Sequence, residues 1–227
     1  MKRDFLLFVV FSCLLWGELI FPFSTLKVDF IRHTEEETVK GRIYYYQGKT
    51  SVQIFSPLTQ WMFLKENELL IYYPNRKLAF KIKSASVMQI PFFSAFLYSV
   101  MEDFGLREKG FVLAKEEEGE EGRISLWKKE KEGVLPQLKF VKLYFKGGKM
   151  IRVELLGDSE EIISRMFFSK HREFFGLYFP LKIVIFRCRH KGKEEVLFEK
   201  PLFNAKIPEE VVNFRLPEGV KVDEIRW

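Results

Sequence analysis

Short segments in which apolar and polar residues alternate follow one another closely through the first part of the chain. In the first of them, Leu26, Val28 and Phe30 alternate with Lys27 and Asp29. Further segments of four to six residues follow up to residue 82, separated by Gly, Pro or Asn. A period of two is typical of a half-buried strand, and strands at such short spacing are typical of an antiparallel meander or barrel. Residues 26–82 are therefore predicted to form five or six antiparallel strands.

A hairpin is indicated in the second half of the chain. Leu138–Phe145 is followed by Gly147-Gly148 and then by the alternating segment Ile151–Leu155, and paired glycines supply the positive φ angles of a tight turn. Residues 160–170 fit either a helix or a strand. The strand is preferred because it would lead into a second strand at Leu181–Cys188.

Two more regions complete the predicted β structure. The charged run Lys115–Glu121 is predicted to be an exposed hairpin turn between strands at Phe111–Ala114 and Ile124–Trp127. The last short strands are predicted at Val196–Phe198 and Phe203–Ala205. No repeat or low-complexity linker interrupts the pattern, so residues 25–227 are predicted to form one domain.

One segment breaks the strand rhythm. Pro91 suits the first turn of a helix and Gly105 suits its end. Within the segment Pro91–Arg107 an amphipathic helix that ends at Gly105 is therefore predicted, and its aromatic face is core packing, a lid over a ligand or a membrane-facing surface. The bulky residues at helical spacing are Phe92, Phe93, Phe96, Leu97, Val100, Met101 and Phe104.

Phenylalanine is unusually abundant, with 25 Phe against 8 Tyr and 4 Trp among 227 residues. Each buried aromatic ring removes about 150–250 Å² from water, so the chain has more bulky apolar surface than an ordinary core requires. The composition, 47% hydrophobic and 30% charged, is that of a globular protein and excludes a disordered, collagenous or multi-span membrane chain. The net charge of +6 comes from interleaved Lys and Glu, which is typical of a solvated surface.

Residues 1–24 are predicted to be an export signal or an N-terminal anchor. Lys2 and Arg3 precede the apolar run Phe5–Trp16, an arrangement typical of export signals, and the run is short for a transmembrane helix. Because no good cleavage site follows, three outcomes stay open: cleavage, lipidation at Cys13, or retention of residues 5–21 as a membrane anchor. Each places the remaining chain in the periplasm.

The sequence carries no constellation typical of an enzyme. His33, His171 and His190 lack a second ligand at metal-binding spacing and are interpreted as surface histidines. There is no nucleophile elbow and no phosphate-binding glycine loop. Cys188 is predicted to be a buried structural thiol, although flanking arginines would lower its pKa if it were exposed. We therefore expect no catalysis, no metal and no cofactor.

The phenylalanine excess favours a binding site for apolar ligands. A curved sheet that is not fully closed, with a helical lid, would enclose a cavity suited to acyl chains. Nucleic acid is not expected as a partner, because the aromatic residues are mostly Phe and basic stripes are absent. The residues predicted to line the cavity and the lid are Phe30, Trp61, Phe63, Tyr72, Phe80, Phe92, Phe93, Phe96, Leu97, Met101 and Phe140.

Several of these residues carry a resemblance to a known family. Phe30, Gly41, Pro57, Ile71–Asn75 and, above all, the ending from Asn204 to Asp223 are similar to the periplasmic lipoprotein-carrier family, LolA-like proteins and their LolB relatives. Gly219 follows Pro217-Glu in that ending. The resemblance covers roughly residues 26–223.

The resemblance implies a mainly β (α+β) fold: a single unclosed antiparallel β-barrel, or strongly curved sheet, with a helical lid over an apolar cavity. It further implies a monomer that carries acylated lipoproteins or lipids from an inner-membrane donor complex to an outer-membrane acceptor. The family has an arginine that couples lid opening to cargo handling, and the matching stretch here offers only Lys49. The alternative is a sensor or protein-interaction module of the cell envelope on the same fold.

Overall fold

The computed structural model describes residues 21–65, 68–83, 91–120, 122–130, 138–188 and 192–225. Within these ranges fourteen strands form one sheet in the order β14-β6-β5-β4-β3-β2-β1-β13-β12-β11-β10-β9-β8-β7. The sheet does not close, since β14 and β7 form its two edges, and the predicted unclosed, mainly β fold is confirmed. The strands are β1 Thr25–His33, β2 Thr38–Tyr46, β3 Lys49–Ser56, β4 Gln60–Lys65, β5 Glu68–Tyr73, β6 Leu78–Lys83, β7 Phe111–Gly119, β8 Gly122–Lys129, β9 Phe140–Lys146, β10 Lys149–Leu156, β11 Ile162–Phe174, β12 Leu177–Arg187, β13 Gly192–Phe203 and β14 Lys221–Ile225.

Most of the predicted strands are present. Strands β1 to β6 form the expected meander, and β9 and β10 form the expected hairpin, with Gly147 and Gly148 at φ 55° and 72°. Of the ambiguous residues 160–170, residues 162–170 lie in β11, so the preferred strand is present there. The predicted strand Val196–Phe198 lies within β13, whose register shifts opposite β1 near Lys200, which has a positive φ of 49°. The predicted strand Phe203–Ala205 is wrong for its last two residues, because β13 ends at Phe203.

The charged run Lys115–Glu121 was expected to be a turn, and most of it is strand. Strand β7 continues to Gly119 before the chain turns back into β8 at Gly122. Because β7 is an edge strand whose residues after Phe111 are all exposed, its charges remain in water. Glu116 also accepts a hydrogen bond from Arg123 of β8 at 3.1 Å.

The C-terminal segment adds structure that the sequence did not predict. It leaves β13, forms the short helix α2 Glu209–Val212, and ends in β14, which pairs parallel with β6. The other strand pairs are antiparallel, so β14 is a parallel edge strand on an otherwise antiparallel sheet.

The helix α1 is shorter than expected, because it spans Pro91–Tyr98 and does not continue to Gly105. Local polar groups end it: the Ser99 hydroxyl donates to the Phe96 carbonyl at 2.7 Å, and the Asp103 carboxylate accepts from the Gly105 N–H at 3.0 Å. Such side-chain bonds compete with helical ones. Phe104 and Gly105 have positive φ angles of 52° and 66°, which reverse the chain before a short 3-10 turn at Arg107–Lys109.

The two faces of the sheet are defined by its register, because paired residues of adjacent strands point to the same side. Val28 of β1 pairs with Ile43 of β2, and Ile43 pairs with Val52 of β3; all three side chains are 1% exposed or less. We call the side on which they lie the inner face. Asp29 and Arg42 are paired on the opposite side, the outer face, where they form an ion pair.

Helix α1 is enclosed on all sides. Five consecutive residues, 93–97, are at most 4% exposed, and five residues span more than one full helical turn. A helix lying on a flat surface would leave one side in water. The sheet therefore curves around α1, and the space inside, which we call the interior, holds the main hydrophobic core.

Candidate ligand-binding interior

Aromatic rings connect α1 to the inner face. The Phe96 ring lies 4.4 Å from that of Phe198 in β13 and 5.4 Å from that of Phe179 in β12, measured between centroids. The Phe92 ring lies 5.2 Å from that of Phe30 in β1. These rings are in the range in which aromatic pairs stabilise each other beyond simple burial. The helix fills the interior with its own side chains.

Five of the predicted site residues meet here. Phe30, Phe93, Phe96 and Leu97 are at most 3% exposed, and Phe92 packs against the same core. The expected lid helix is thus inside the sheet rather than across its opening, since the residues around its whole circumference are buried. Whether these residues contact a ligand stays a prediction.

Three other predicted residues lie on the opposite side of the sheet. Trp61 pairs with Gln53 and Tyr72, which places all three on the outer face. The C-terminal segment covers them with Phe214, whose ring stacks on that of Phe63 at 4.0 Å and lies 5.4 Å from that of Trp61. Trp61, Phe63 and Tyr72 therefore anchor the C-terminal segment and do not line the interior.

The last three predicted residues lie apart from the aromatic cluster. Phe140 begins β9 on the outer face, next to inner-face Val141. Phe80 is on the inner face, but its ring contact is with Tyr73, 6.1 Å away at the β5–β6 end of the sheet. Met101 borders a cleft of about 370 Å³ whose lining is mixed polar and apolar: Ser99, Val100, Met101, Glu102, Glu118, Gly122, Arg123, Phe145, Gly147 and Gly148.

Sequence reasoning missed much of the interior wall. Phe179 is fully buried and Phe198 is 3% exposed, and both contact Phe96. For Phe198 the available signal was its spacing of two from Val196 in an apolar segment between Glu195 and Glu199, which is typical of a strand with a buried face. That signal identified a strand but not its position opposite α1.

The matching position for the family's arginine is on the outer face. Lys49 pairs with Tyr46 at the β2–β3 turn, and its Nζ lies 6.0 Å from the centroid of the Tyr46 ring. The Tyr46 hydroxyl donates to the Val211 carbonyl at 3.1 Å. Lys49 therefore borders the C-terminal segment and not α1.

Charged groups lie beside the interior in two places, at Glu194 and at Lys109. The buried carboxylate of Glu194, on the inner face, accepts hydrogen bonds at 2.9 Å from both Arg32 and Arg187. Beyond α1, the Lys109 ammonium lies 4.1 Å from the centroid of the Tyr98 ring. Burial lowers the pKa of Lys109 to about 8 and raises that of Tyr98.

The remaining candidate chemical groups are dispersed. Cys188 is exposed, contrary to the expected buried thiol, because it follows the last residue of β12. His33 is exposed as expected, whereas His171 is partly buried: its Nε2 donates to the Met150 carbonyl at 2.8 Å, and burial lowers its pKa. His190 lies outside the described residues. In the described part of the chain, no cluster of three His, Cys, Asp or Glu side chains is placed to hold a metal ion.

None of the helices in the described ranges is long and apolar enough to cross a membrane.

Comparison of sequences finds no relative: no family model matches the chain, and no curated protein matches it. Comparison of structures finds proteins with a similar fold. The chain is similar to a domain from Vibrio parahaemolyticus that is described as an outer membrane lipoprotein-sorting protein domain, with 10% identity, a TM-score of 0.58 and coverage of 84% of this chain and 89% of that one.

Two further solved structures are similar. A LolA superfamily protein from Nitrosomonas europaea has 10% identity and a TM-score of 0.55, over 86% of this chain and 92% of its own. A DUF1329 family protein from Desulfovibrio piger has 11% identity and a TM-score of 0.55, over 83% and 89%. At these identities the likeness concerns the fold. The curved fourteen-stranded sheet around a central helix is thus the fold of the LolA-like lipoprotein-sorting domains, as the sequence resemblance predicted.

Proposed function

We propose that this protein is an exported carrier that binds the acyl chains of lipoproteins or lipids in its interior and moves them across the cell envelope. The observation that carries the proposal is the enclosed helix α1, whose Phe93 and Phe96 side chains are fully buried and whose Phe96 ring contacts Phe179 and Phe198 of the sheet. An acyl chain that entered the interior would take the place of these side chains. The carrier-type fold agrees with this role.

The energies suit reversible exchange between α1 and a ligand. Burial of each CH₂ group stabilises a complex by about 0.8 kcal/mol, so a chain of roughly 16 carbons gains on the order of 10 kcal/mol before ordering costs. Displacing α1 exposes several phenyl groups, each worth about 1.5–3 kcal/mol when fully buried. The two terms are comparable. A self-filling interior of this kind would bind an acyl chain and still release it.

The segment after α1 supplies a hinge for this motion. Residues 99–106 contain turns but no regular helix, and Phe104, Gly105 and Gly110 have positive φ angles. Phe104 and Leu106 nonetheless pack into the main core. We propose that α1 swings out while Phe104 and Leu106 hold the following segment in place.

The test is direct binding to the full chain. The purified protein is titrated with a pyrene-labelled fatty acid, and hydrogen exchange of α1 is measured with and without the ligand. We expect saturable binding with one site and faster exchange at residues 92–98 in the bound state. An absence of saturable binding, or binding that leaves α1 exchange unchanged, would contradict the proposal.

Localisation and partners follow from the same proposal. We propose that the carrier works as a periplasmic monomer, without catalysis, between an inner-membrane donor complex and an outer-membrane acceptor. The N-terminal residue of the protein purified from its native host, determined by mass spectrometry, separates cleavage, lipidation at Cys13 and retention of residues 5–21. A cytoplasmic location of the chain would overturn this part of the proposal.

One observation favours the alternative, a protein-interaction module of the envelope. Strand β7 is an edge of the sheet formed by the described residues, and its Val112 and Leu113 side chains are 38% and 43% exposed. An exposed edge can pair with an extended segment of another protein. Recovery of a stoichiometric partner protein whose binding protects the β7 amides, together with no fatty-acid binding, would favour this function over transport.

A further inference from the structure

The turn between β11 and β12 presents an exposed apolar surface. Phe175 at the turn is 54% exposed, and its ring lies 5.6 Å from that of Phe203 at the end of β13. Leu202, next to Phe203, is 51% exposed. Since β11, β12 and β13 are adjacent in the sheet, these residues lie at one end of it, where Phe203 points to the inner face and Leu202 to the outer face. We call this patch the aromatic tip; it comprises Phe174, Phe175, Leu177, Leu202 and Phe203.

The turn itself does not require phenylalanine. Phe175 and Gly176 have φ angles of 54° and 76°, a left-handed conformation that favours Asn or Gly and disfavours bulky side chains. The β2–β3 and β9–β10 turns have nearly the same angles, with Gln47-Gly48 and Gly147-Gly148. Those turns use a polar residue or glycine at the position of Phe175. An exposed aromatic residue in a strained backbone position therefore points to a role outside folding.

Basic side chains surround the aromatic tip. The Arg172 guanidinium lies 5.3 Å from the centroid of the Phe174 ring, and the Lys149 ammonium lies 4.6 Å from that of Tyr178. Among the exposed residues next to the tip in sequence, positive charges outnumber negative ones by one: Arg172, Lys200 and Lys206 against Glu173 and Glu199. With Lys149 added, the surroundings of the tip are complementary to an anionic surface.

The chain preceding β1 enters the structure beside the same patch. The Phe21 ring stacks on that of Phe23 at 5.0 Å, and the Phe23 ring lies 4.9 Å from that of Phe203. Residues 1–20 lie outside the described part, and their sequence includes the apolar run Phe5–Trp16. Any attachment of the chain to a bilayer through that run would hold the aromatic tip at the membrane surface.

We propose that the aromatic tip binds the surface of a lipid bilayer that contains anionic headgroups, with Phe175 inserted below the headgroups. Aromatic and apolar side chains flanked by Lys and Arg are typical of interfacial membrane contacts. Phe174, Leu177 and Phe203 also pack against the main core, so the tip lies at one end of the interior; the proposed contact does not depend on acyl-chain binding. It would place the end of the sheet that carries the β11–β12 turn against the membrane.

The test uses a fluorescent residue placed in the turn, because the apolar run Phe5–Trp16 could bind vesicles independently of the tip. The full-length F175W variant is mixed with vesicles of phosphatidylcholine and phosphatidylglycerol, with and without brominated acyl chains, and its emission is compared with that of the parent chain. The matched control is F55W, since Phe55 is 49% exposed and is the next-to-last residue of β3. Strand β3 starts at the same end as the tip and runs away from it.

We expect brominated lipid to quench the emission added by F175W and to leave that added by F55W unchanged. Quenching should weaken in pure phosphatidylcholine and at about 1 M salt, where charges are screened beyond about 3 Å. The F175N variant, whose side chain suits the turn, should fold normally and lose protection of residues 172–178 from hydrogen exchange on vesicles. Equal quenching of F175W and F55W, or no quenching of F175W, would overturn the proposal, even if a protein partner were found to cover the tip.

Discussion

The ring of Phe30 lies directly against the backbone of Gly41, its partner across β1 and β2. A Cβ atom added to Gly41 would lie 2.7 Å from two atoms of that ring and 2.5 Å from the Gln53 carbonyl oxygen. Gly41 does not have a positive φ angle. The glycine is therefore required by the close approach of both the ring and the Gln53 carbonyl oxygen, and the ring in turn supports Phe92 of α1.

We expect Gly41→Ala to lower the free energy of unfolding by about 1–3 kcal/mol, the usual effect of overpacking a core. Denaturant unfolding of the full chain measures this. Gly119→Ala is the matched control, because an added Cβ there meets nothing within 4 Å, and its effect should stay within about 0.5 kcal/mol. The smaller side chain of F30L should recover part of the loss in the double variant. Strictly additive effects of G41A and F30L would show that the ring is not the obstacle.

A second prediction concerns the outer face. Because Phe214 stacks on Phe63 and contacts Trp61, Phe214→Ala should release the C-terminal segment and cost roughly 1–3 kcal/mol of stability. Hydrogen exchange of β14 should accelerate, while fatty-acid affinity should remain that of the parent chain. A change in affinity with unaltered β14 exchange would contradict the separation of the two faces.

The strand β4 shows why the sequence predicted the fold better than the site. Trp61, Met62, Phe63 and Leu64 are all apolar, because the inner face meets the core and the outer face meets the C-terminal segment. A strand that is covered on both sides loses its alternation. Its existence can be predicted from β-branched and aromatic content, but the face to which Trp61 points cannot.

Strand β14 and the end of helix α1 were not predicted correctly, for two other reasons. Strand β14 has only five residues, Lys221–Ile225, none of them buried, and its partner β6 lies far away in sequence. Local patterns do not carry such pairings. For α1, the apolar spacing continues to Phe104, so periodicity overestimates the helix that Ser99 and Asp103 end through their own hydrogen bonds.

A third prediction separates the helix from the wall of the interior. Phe96 of α1 and Phe198 of β13 face each other at 4.4 Å, so F96L and F198L should destabilise the fold by similar amounts. If α1 is displaced by a ligand, F96L weakens only the filled state and should raise the apparent fatty-acid affinity. F198L also removes contacts between the wall and the ligand, so it should not raise the apparent fatty-acid affinity. Fluorescence titration of both variants checks this, and equal changes in affinity would contradict a displaced helix.

The last prediction follows from Lys109, whose pKa burial lowers from 10.5 to about 8, with the Glu108 and Asp103 carboxylates opposing the shift. Between these values the unfolded chain binds more protons than the folded one, so this group makes the free energy of unfolding rise as pH increases from about 8 to 10. Lys109→Met should raise stability at pH 7 by roughly 1–3 kcal/mol and flatten that rise. The raised pKa of Tyr98 acts in the opposite direction only above pH 10, so denaturant unfolding from about pH 7 to 10 isolates Lys109. Identical slopes for the parent chain and K109M would show that the ammonium is solvated despite its contact with the Tyr98 ring.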